Sequence, residues 1–264
     1  MLKRCVVLFW MAAACSITIT AQAQTSARPI KYETVHFART YPCAPRSKQI
    51  CLSVEVDYPA IVGAATAAAQ NLINTSIQTH LFANADGSPG STSGDGLAIQ
   101  LQDEYQDMQR RVPEYHAPWF DHRSATVLMD SSAVFSVQMR LDQFVGGAHP
   151  NSVRVYLNFR PSGESLSLGD VLQEGRLAAL TSLGDKHFRE ARKLQPGTDY
   201  KQAGFSFKDG RFALPENFGF SPEGMIFYFN SYDIAPYYFG PTELTIPYSE
   251  LHDVLKPEFF PQMP

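Results

Sequence analysis

The sequence predicts an α+β fold with a mainly antiparallel sheet and packed helices, in two subdomains. Between residues 62 and 112, apolar residues recur at spacings of three and four, which indicates helices with one buried face. From Ala125 onward, apolar and polar residues alternate, as is typical of strands. Gly, Pro and Ser separate these segments, so we expect an N-terminal subdomain over residues 30–124 and a C-terminal one over residues 125–260.

The first 23 residues have the composition of a signal peptide. Lys3 and Arg4 precede an apolar run that ends in an Ala-Gln-Ala cleavage site at Ala23. This run is too short to span a bilayer, which takes roughly 20 apolar residues. We therefore expect a periplasmic or secreted protein with no transmembrane segment. Cys15 follows three alanines, which leaves open the less favoured alternative of an outer-membrane lipoprotein anchored at that cysteine.

Two of the four cysteines, Cys43 and Cys51, lie beyond the signal peptide. An even pair in an exported chain is typical of a disulfide, and the intervening segment contains prolines that can turn the chain back. The alternative is a metal site, but no further Cys or His stands at ligand spacing. We expect a disulfide, no metal and no cofactor.

Composition and charge exclude some classes of partner. Hydrophobic residues make up 44% of the chain and charged residues 18%, so a core can form and extensive disorder is not expected. Removing Lys3 and Arg4 with the signal peptide changes the formal charge from -4 to -6. The absence of a Lys/Arg-rich run argues against a nucleic-acid partner. The acidic balance is compatible with a basic protein partner.

In the N-terminal part, Tyr58-Pro59 is predicted to end a strand that starts at Cys51. A helix then follows over residues 62–82, and a Gly/Ser-rich loop leads to a second helix over residues 97–112. The residues predicted to face the core are Ala69, Leu72, Ile73, Ile77 and Leu81 in the first helix, and Leu97, Leu101, Tyr105, Met108 and Val112 in the second.

In the C-terminal part, two adjoining antiparallel strands are predicted over residues 124–132 and 133–145. A third strand at 153–160 is expected to bury Val153, Val155, Leu157 and Phe159 on one face. A helix over 176–194 follows, with Leu177, Leu180, Leu183, Phe188 and Ala191 facing inward. The remaining predicted elements are strands at 211–215, 224–230 and 242–248 and a short helix at 249–255 capped by Ser249.

Two blocks of sequence are candidates for a binding surface. The first, FVGGAHPNSVRVYLNF, starts at Phe144 and places His149 in a Gly-rich turn before an alternating strand. The second, YDIAPYYFGPTELTIPYSEL, starts at Tyr232 and is rich in aromatic residues, which favour recognition. In the alternative interpretation, both blocks are architectural: the glycines let two backbones approach, His149 holds its turn, and the tyrosines cover the core. The candidate binding residues are His149, Asn151, Tyr232, Asp233 and Tyr237.

The spaced segments FVGGAHPN, VYLNFRPSGESLSLGDVL, GMIFYFNSYDIAPYYFGP and TELTIPYSEL resemble the RsiV-like extracellular domain family. This module senses lysozyme in an anti-sigma factor and forms the non-catalytic N-terminal region of the peptidoglycan deacetylase PdaC. The resemblance covers most of the chain after the signal peptide. It implies an exported binding module for a protein of the envelope or extracellular space, with lysozyme as the candidate. Since neither a cytoplasmic segment nor a deacetylase domain is visible, we expect neither anti-sigma activity nor deacetylation.

The alternative function is an envelope hydrolase with an unrecognised active site around His149, which could act as a base with Asp233 and Glu243 nearby. No GxSxG, HExxH or paired-carboxylate pattern supports it. A lone histidine in a turn more often bonds to the local backbone. We therefore favour a protein that is not an enzyme and name no catalytic residue.

Overall fold

The computed structural model describes residues 30–43, 47–84 and 86–260, and it confirms the α+β class. Two sheets and four α-helices make up its regular structure. The elements are β1 (Lys31–Pro42), β2 (Ile50–Gly63), α1 (Ala67–Leu81), α2 (Gly94–Arg111), β3 (Trp119–Asp130), β4 (Phe135–Phe144), β5 (Asn151–Phe159), α3 (Leu168–Val171), α4 (Leu177–Ala191), β6 (Phe218–Phe220), β7 (Gly224–Phe229) and β8 (Thr242–Pro247).

The first sheet has five strands in the order β1-β2-β3-β4-β5. Every neighbouring pair is antiparallel except β2 and β3, which are parallel and are therefore joined by a long crossover that contains α1 and α2. Alternate residues of β2 and β3 point toward these helices, and Val54, Val56 and Trp119 are buried there. The inward faces of the helices complete this core with Ile73, Ile77, Leu97 and Leu101.

The second sheet is antiparallel, in the order β6-β7-β8, and α4 packs on it. Every residue of β7 is buried: one face belongs to the core that includes Phe188 of α4, and the other face packs with Tyr156 of β5. Phe188 of α4 stands at the centre of an aromatic cluster and contacts Phe205, Phe207, Tyr200 and other rings. Edge-to-face contacts dominate this cluster, as the charge distribution of aromatic rings favours.

The two cores meet at β5, whereas the predicted boundary at residues 124 and 125 falls inside β3. Strands from both sides of that position therefore share one sheet. Gly219 of β6 lies so close to Tyr156 that a side chain there would collide with the ring. The alternation from Ala125 marks the change from helices to strands, but it carries no information on which strands pair.

Strand β2 runs through Pro59 to Gly63, so the predicted break at Tyr58-Pro59 is wrong. Pairing with β3 ends at Asp57, and beyond that point β2 is bonded only to β1. An edge of this kind tolerates a residue without an N–H. Further along, the side-chain amide of Asn74 in α1 covers the open edge by bonding the N–H and C=O of Ile61 at 2.8 and 2.9 Å.

Several other predictions need correction. Leu72 lies at the margin of the α1 stripe and is 52% exposed. Leu177 and Ala191 are the end residues of α4, Val112 follows the end of α2, and all three are exposed. On β5, Val153, Val155 and Leu157 are half-buried and only Phe159 is buried, whereas Tyr156 and Asn158 on the other face are buried against the second sheet. Residues 211–215 are irregular, and the segment predicted as a helix capped by Ser249 contains only the 3-10 turn Tyr248–Glu250, with a second one at Pro257–Phe259.

The structure contains the predicted disulfide between Cys43 and Cys51, with Cα atoms 4.7 Å apart. It joins the end of β1 to the start of β2. The predicted signal peptide and Cys15 lie outside the described residues. Among the helices of the described part, none is both long and apolar enough to cross a membrane.

Candidate functional site

The two candidate blocks come together at one end of β5, although His149 and Tyr232 are 83 positions apart in the chain. The β4–β5 turn carries His149, and the segment after β7 carries Tyr232 and Tyr237. Asn230, the first residue after β7, bonds the backbone N–H and C=O of Arg154 in β5 at 2.7 and 3.0 Å. This clamp fixes the segment after β7 beside the turn.

Three aromatic side chains form the ring cluster, which we define as His149, Tyr232 and Tyr237. The rings of His149 and Tyr237 are stacked, with centroids 3.7 Å apart and planes 19° apart. Tyr232 lies beside both, at 5.7 Å from Tyr237 and 6.4 Å from His149 between centroids. The structure thus brings together three of the five predicted site residues.

Hydrogen bonds fix the orientation of the imidazole ring. Nδ1 of His149 lies 2.9 Å from the carbonyl oxygen of Pro150, which can only accept, so Nδ1 carries a hydrogen. In the neutral ring, Nε2 then accepts from the hydroxyl of Tyr232 at 3.2 Å. The hydroxyl of Tyr237 donates to the same Pro150 carbonyl at 3.0 Å. Both nitrogens of His149 thus stabilise the turn, and neither bonds a carboxylate.

Tyr232 has an unusual backbone conformation, with φ of 74°. Positive φ is unfavourable for a residue with a side chain, and residues other than Gly that adopt it are concentrated at functional sites. The side chain of Tyr232 is nevertheless 62% exposed, so burial in the core does not explain the conformation. The backbone presents this ring at the surface beside His149.

The two remaining predicted residues, Asp233 and Asn151, contribute no ring to the cluster. Asp233 accepts a hydrogen bond from the backbone N–H of Asn230 at 2.7 Å, and it thereby caps the turn that holds Tyr232. Burial raises the pKa of its carboxyl group. Asn151 is the first residue of β5 and lies opposite Gln143 of β4. Their observed contacts are architectural, and a direct role in binding stays a prediction.

The two glycines of the first block have different environments. Gly146 has φ of 87°, and a Cβ there would lie 2.9 Å from the hydroxyl of Tyr115 and 3.2 Å from Cζ2 of Trp119. The close approach is therefore to aromatic side chains rather than to a second backbone. Gly147 is unrestricted, since its nearest neighbour would lie 3.8 Å away. Gly146 alone shapes the turn.

Tyr238, which follows Tyr237 in the chain, is 80% exposed and contacts the ring of Phe239. Tyr238 is not among the predicted site residues, although it belongs to the same aromatic run as Tyr237. A cavity of about 240 Å³ lies elsewhere, between the end of α1 and the sheet, and its walls include Leu141, Val153 and Val155. It contains none of the predicted site residues. In the described part of the chain, no group of His, Cys, Asp and Glu side chains could hold a metal ion.

Comparisons with known proteins divide the chain into two matched regions. Residues 46–152 match the family model described as Deacetylase PdaC. Residues 169–249 match the model described as a protein of unknown function, DUF3298. A search of curated proteins gave no significant match.

Two solved structures share the fold. A DUF3298 family protein from Pseudomonas aeruginosa PAO1 is 20% identical, with a TM-score of 0.66 over 89% of this chain and 99% of that one. A DUF3298 family member from Bacteroides fragilis NCTC 9343 is 18% identical, with a TM-score of 0.66 over 88% of this chain and 96% of that one. Identities this low establish the fold alone.

Proposed function

We propose that this chain is an exported, non-catalytic binding module of the cell envelope. Its partner is a protein of the envelope or extracellular space, with a lysozyme-like hydrolase as the first candidate. The observation that carries the proposal is the ring cluster, whose three rings are exposed or half-buried. The side chain of Asn230 holds the segment that carries the two tyrosines, and Tyr232 has a positive φ. The match of residues 46–152 to the PdaC family model supports a role in the envelope.

The geometry of the ring cluster favours binding over catalysis. A general base needs a nitrogen free to take a proton and a group that orients the ring. The carbonyl of Pro150 orients the ring of His149, but Nε2 already accepts from the hydroxyl of Tyr232, and no carboxylate of the described residues bonds the ring. Exposed tyrosines offer large apolar area with a polar tip at low entropic cost, which suits recognition of a protein surface.

The negative net charge of the chain supports a basic protein as the partner. The formal charge is -4 for the full sequence, and the predicted mature chain is more acidic because cleavage removes Lys3 and Arg4. Such a balance speeds association with a cationic protein and makes the association rate sensitive to salt. Lysozymes with a basic surface meet this requirement.

The test is titration calorimetry of the mature protein with lysozymes, combined with affinity capture from envelope extract. We expect a saturable complex that Tyr237→Ala weakens at least tenfold, as is typical of a central aromatic contact. The control is Leu177→Ala, which removes an exposed apolar side chain on α4. Absence of any retained partner, or equal binding by both variants, would contradict the proposal. Turnover of an envelope substrate that His149→Ala abolishes without loss of thermal stability would favour the hydrolase.

A further inference from the structure

Strand β1 forms one edge of the five-stranded sheet. No strand of the described part of the chain lies beyond it. All twelve of its residues are exposed or half-buried. Its register with β2 is regular from Tyr32 to Tyr41, and irregularities occur only at the two ends. An edge of this length offers a row of unpaired N–H and C=O groups to another strand.

The opposite edge of the same sheet, β5, is closed by side chains. Asn230 bonds the N–H and C=O of Arg154. Asn217 bonds the N–H of Tyr156 at 2.9 Å and the C=O of Arg154 at 2.8 Å. The C=O of Asn158 accepts from the N–H of Leu166 at 2.8 Å. Within the described residues, no comparable bonds reach the outer side of β1.

The middle of strand β1 contains no Pro, no Lys and no bulge, and its two charged residues, Glu33 and Arg39, are of opposite sign. Proteins protect such edges with Pro, Lys or a bulge in the middle of the strand. Here Lys31 and Pro42 stand at the ends, beside the two irregular positions. The segment between them alternates aromatic, β-branched and charged residues and is well suited to continue a sheet.

We propose that β1 pairs antiparallel with β1 of a second copy of this chain, with the twofold axis at His36. In an antiparallel pair, directly opposite residues lie on the same face of the sheet. Because side chains alternate between the two faces, the twofold axis of a symmetric pair must pass through a residue position, and that residue lies opposite its own copy. Centring on His36 places Glu33 opposite Arg39 and Val35 opposite Phe37, each twice by symmetry. The two five-stranded sheets then form one continuous sheet.

Charge distinguishes this register from its neighbours. Centring on Val35 would place Lys31 opposite Arg39, which repel. Centring on Phe37 would place Arg39 opposite Val35 and Glu33 opposite Tyr41, with no ion pair. Arg39 is already oriented on this face of the sheet by Asp95 of α2 at 2.6 Å. Opposite charges across strands stabilise a pair, and like charges destabilise it.

Cysteine substitution tests the register directly. In the proposed dimer, His36→Cys places two Cβ atoms about 4.5–5.5 Å apart, within reach of an intermolecular disulfide. Thr34→Cys is the matched control, because residue 34 faces Ala38 and its own copy lies about 14 Å away. The double variant Thr34→Cys with Ala38→Cys restores opposite cysteines. We expect cross-linked dimer on non-reducing gels for the first and third variants only.

A charge exchange provides a second measurement that needs no new cysteine. By analytical ultracentrifugation, we expect a concentration-dependent dimer that Glu33→Arg weakens about fivefold or more. Adding Arg39→Glu to the same chain should restore the affinity. A monomer at all concentrations, or equal cross-linking at positions 34 and 36, would overturn the proposal. So would a monomer that pairs β1 only with an added extended peptide.

Discussion

Tyr232 has a strained backbone and an exposed side chain, so replacing it should affect stability and binding in opposite directions. Because φ is 74°, Gly at this position relieves strain that costs roughly 1–2 kcal/mol. Tyr232→Gly should therefore leave the free energy of unfolding unchanged or raise it, while it weakens binding of the partner. Chemical denaturation and calorimetry measure the two effects.

Tyr238 is the control position for Tyr232. Tyr238 is exposed but has no positive φ, so Tyr238→Gly should lower stability by about 0.5–1 kcal/mol through chain entropy. Equal losses of stability in both variants would show that the conformation of Tyr232 stores no strain.

The two adjacent glycines of the β4–β5 turn make a matched pair. Gly146→Ala introduces a side chain at positive φ and against Tyr115, so we expect a loss of about 1–3 kcal/mol. Gly147→Ala meets open space and should change stability by less than about 0.5 kcal/mol. Thermal melts of the two variants would contradict this account if their order were reversed.

A buried hydroxyl predicts how stability depends on alkaline pH. Burial raises the pKa of Tyr248 to about 12, and its hydroxyl donates to the carbonyl of Ser221 at 3.0 Å. Between pH 10 and 12, the unfolded chain loses this proton first, since an unperturbed tyrosine has a pKa of about 10. Stability should therefore fall as pH rises through this range.

Replacing the tyrosine separates its effect from other titrating groups. Tyr248→Phe should flatten the fall measured by urea unfolding at pH 9 and pH 11.5. We expect the difference between the two proteins to stay below about 2 kcal/mol, because the side chain is partly in contact with solvent. Parallel curves for the two proteins would refute the assignment.

At the scale of elements, a buried ion pair joins β3 to the end of α1. Arg123 and Asp121 are 2% and 0% exposed, and the guanidinium bonds both carboxylate oxygens. Its remaining nitrogen donates to the carbonyls of Leu81 and Ala83 at 2.7 and 2.8 Å. Arg123 thus satisfies groups that the helix leaves without partners.

Removing this arginine should be strongly destabilising. Arg123→Met leaves Asp121 charged and buried with only the amide of Gln143 at 2.8 Å, so we expect a loss of about 3–5 kcal/mol. Adding Asp121→Leu should recover part of it. Arg140→Met is the control, because its ion pair with Asp142 is exposed and contributes at most about 1 kcal/mol. Similar losses from Arg123→Met and Arg140→Met would contradict the argument.

Elements that depend on local pattern were predictable from the sequence, and elements that depend on distant partners were not. The helical stripe of α1 predicts Ala69, Ile73, Ile77 and Leu81 correctly. Strand β2 continues through Pro59 only because pairing with β3 has ended, which the local sequence does not encode. The irregular course of residues 211–215 likewise depends on packing against α4.

For the whole molecule, the sequence correctly indicated the α+β class and the Cys43–Cys51 disulfide. It also selected His149, Tyr232 and Tyr237, which the structure brings together. It could not indicate how they meet, because that depends on Asn230 bonding a strand some 76 positions away. The binding role of these residues remains the central proposal.

Titration calorimetry with a basic lysozyme tests that proposal most directly, with the mature wild-type protein and its Tyr237→Ala variant compared under identical salt. We predict saturable binding by the wild type and at least tenfold weaker binding by the variant, which still unfolds cooperatively. Equal affinities for the two proteins would contradict it. So would the absence of a complex with any lysozyme, together with no partner captured from the envelope.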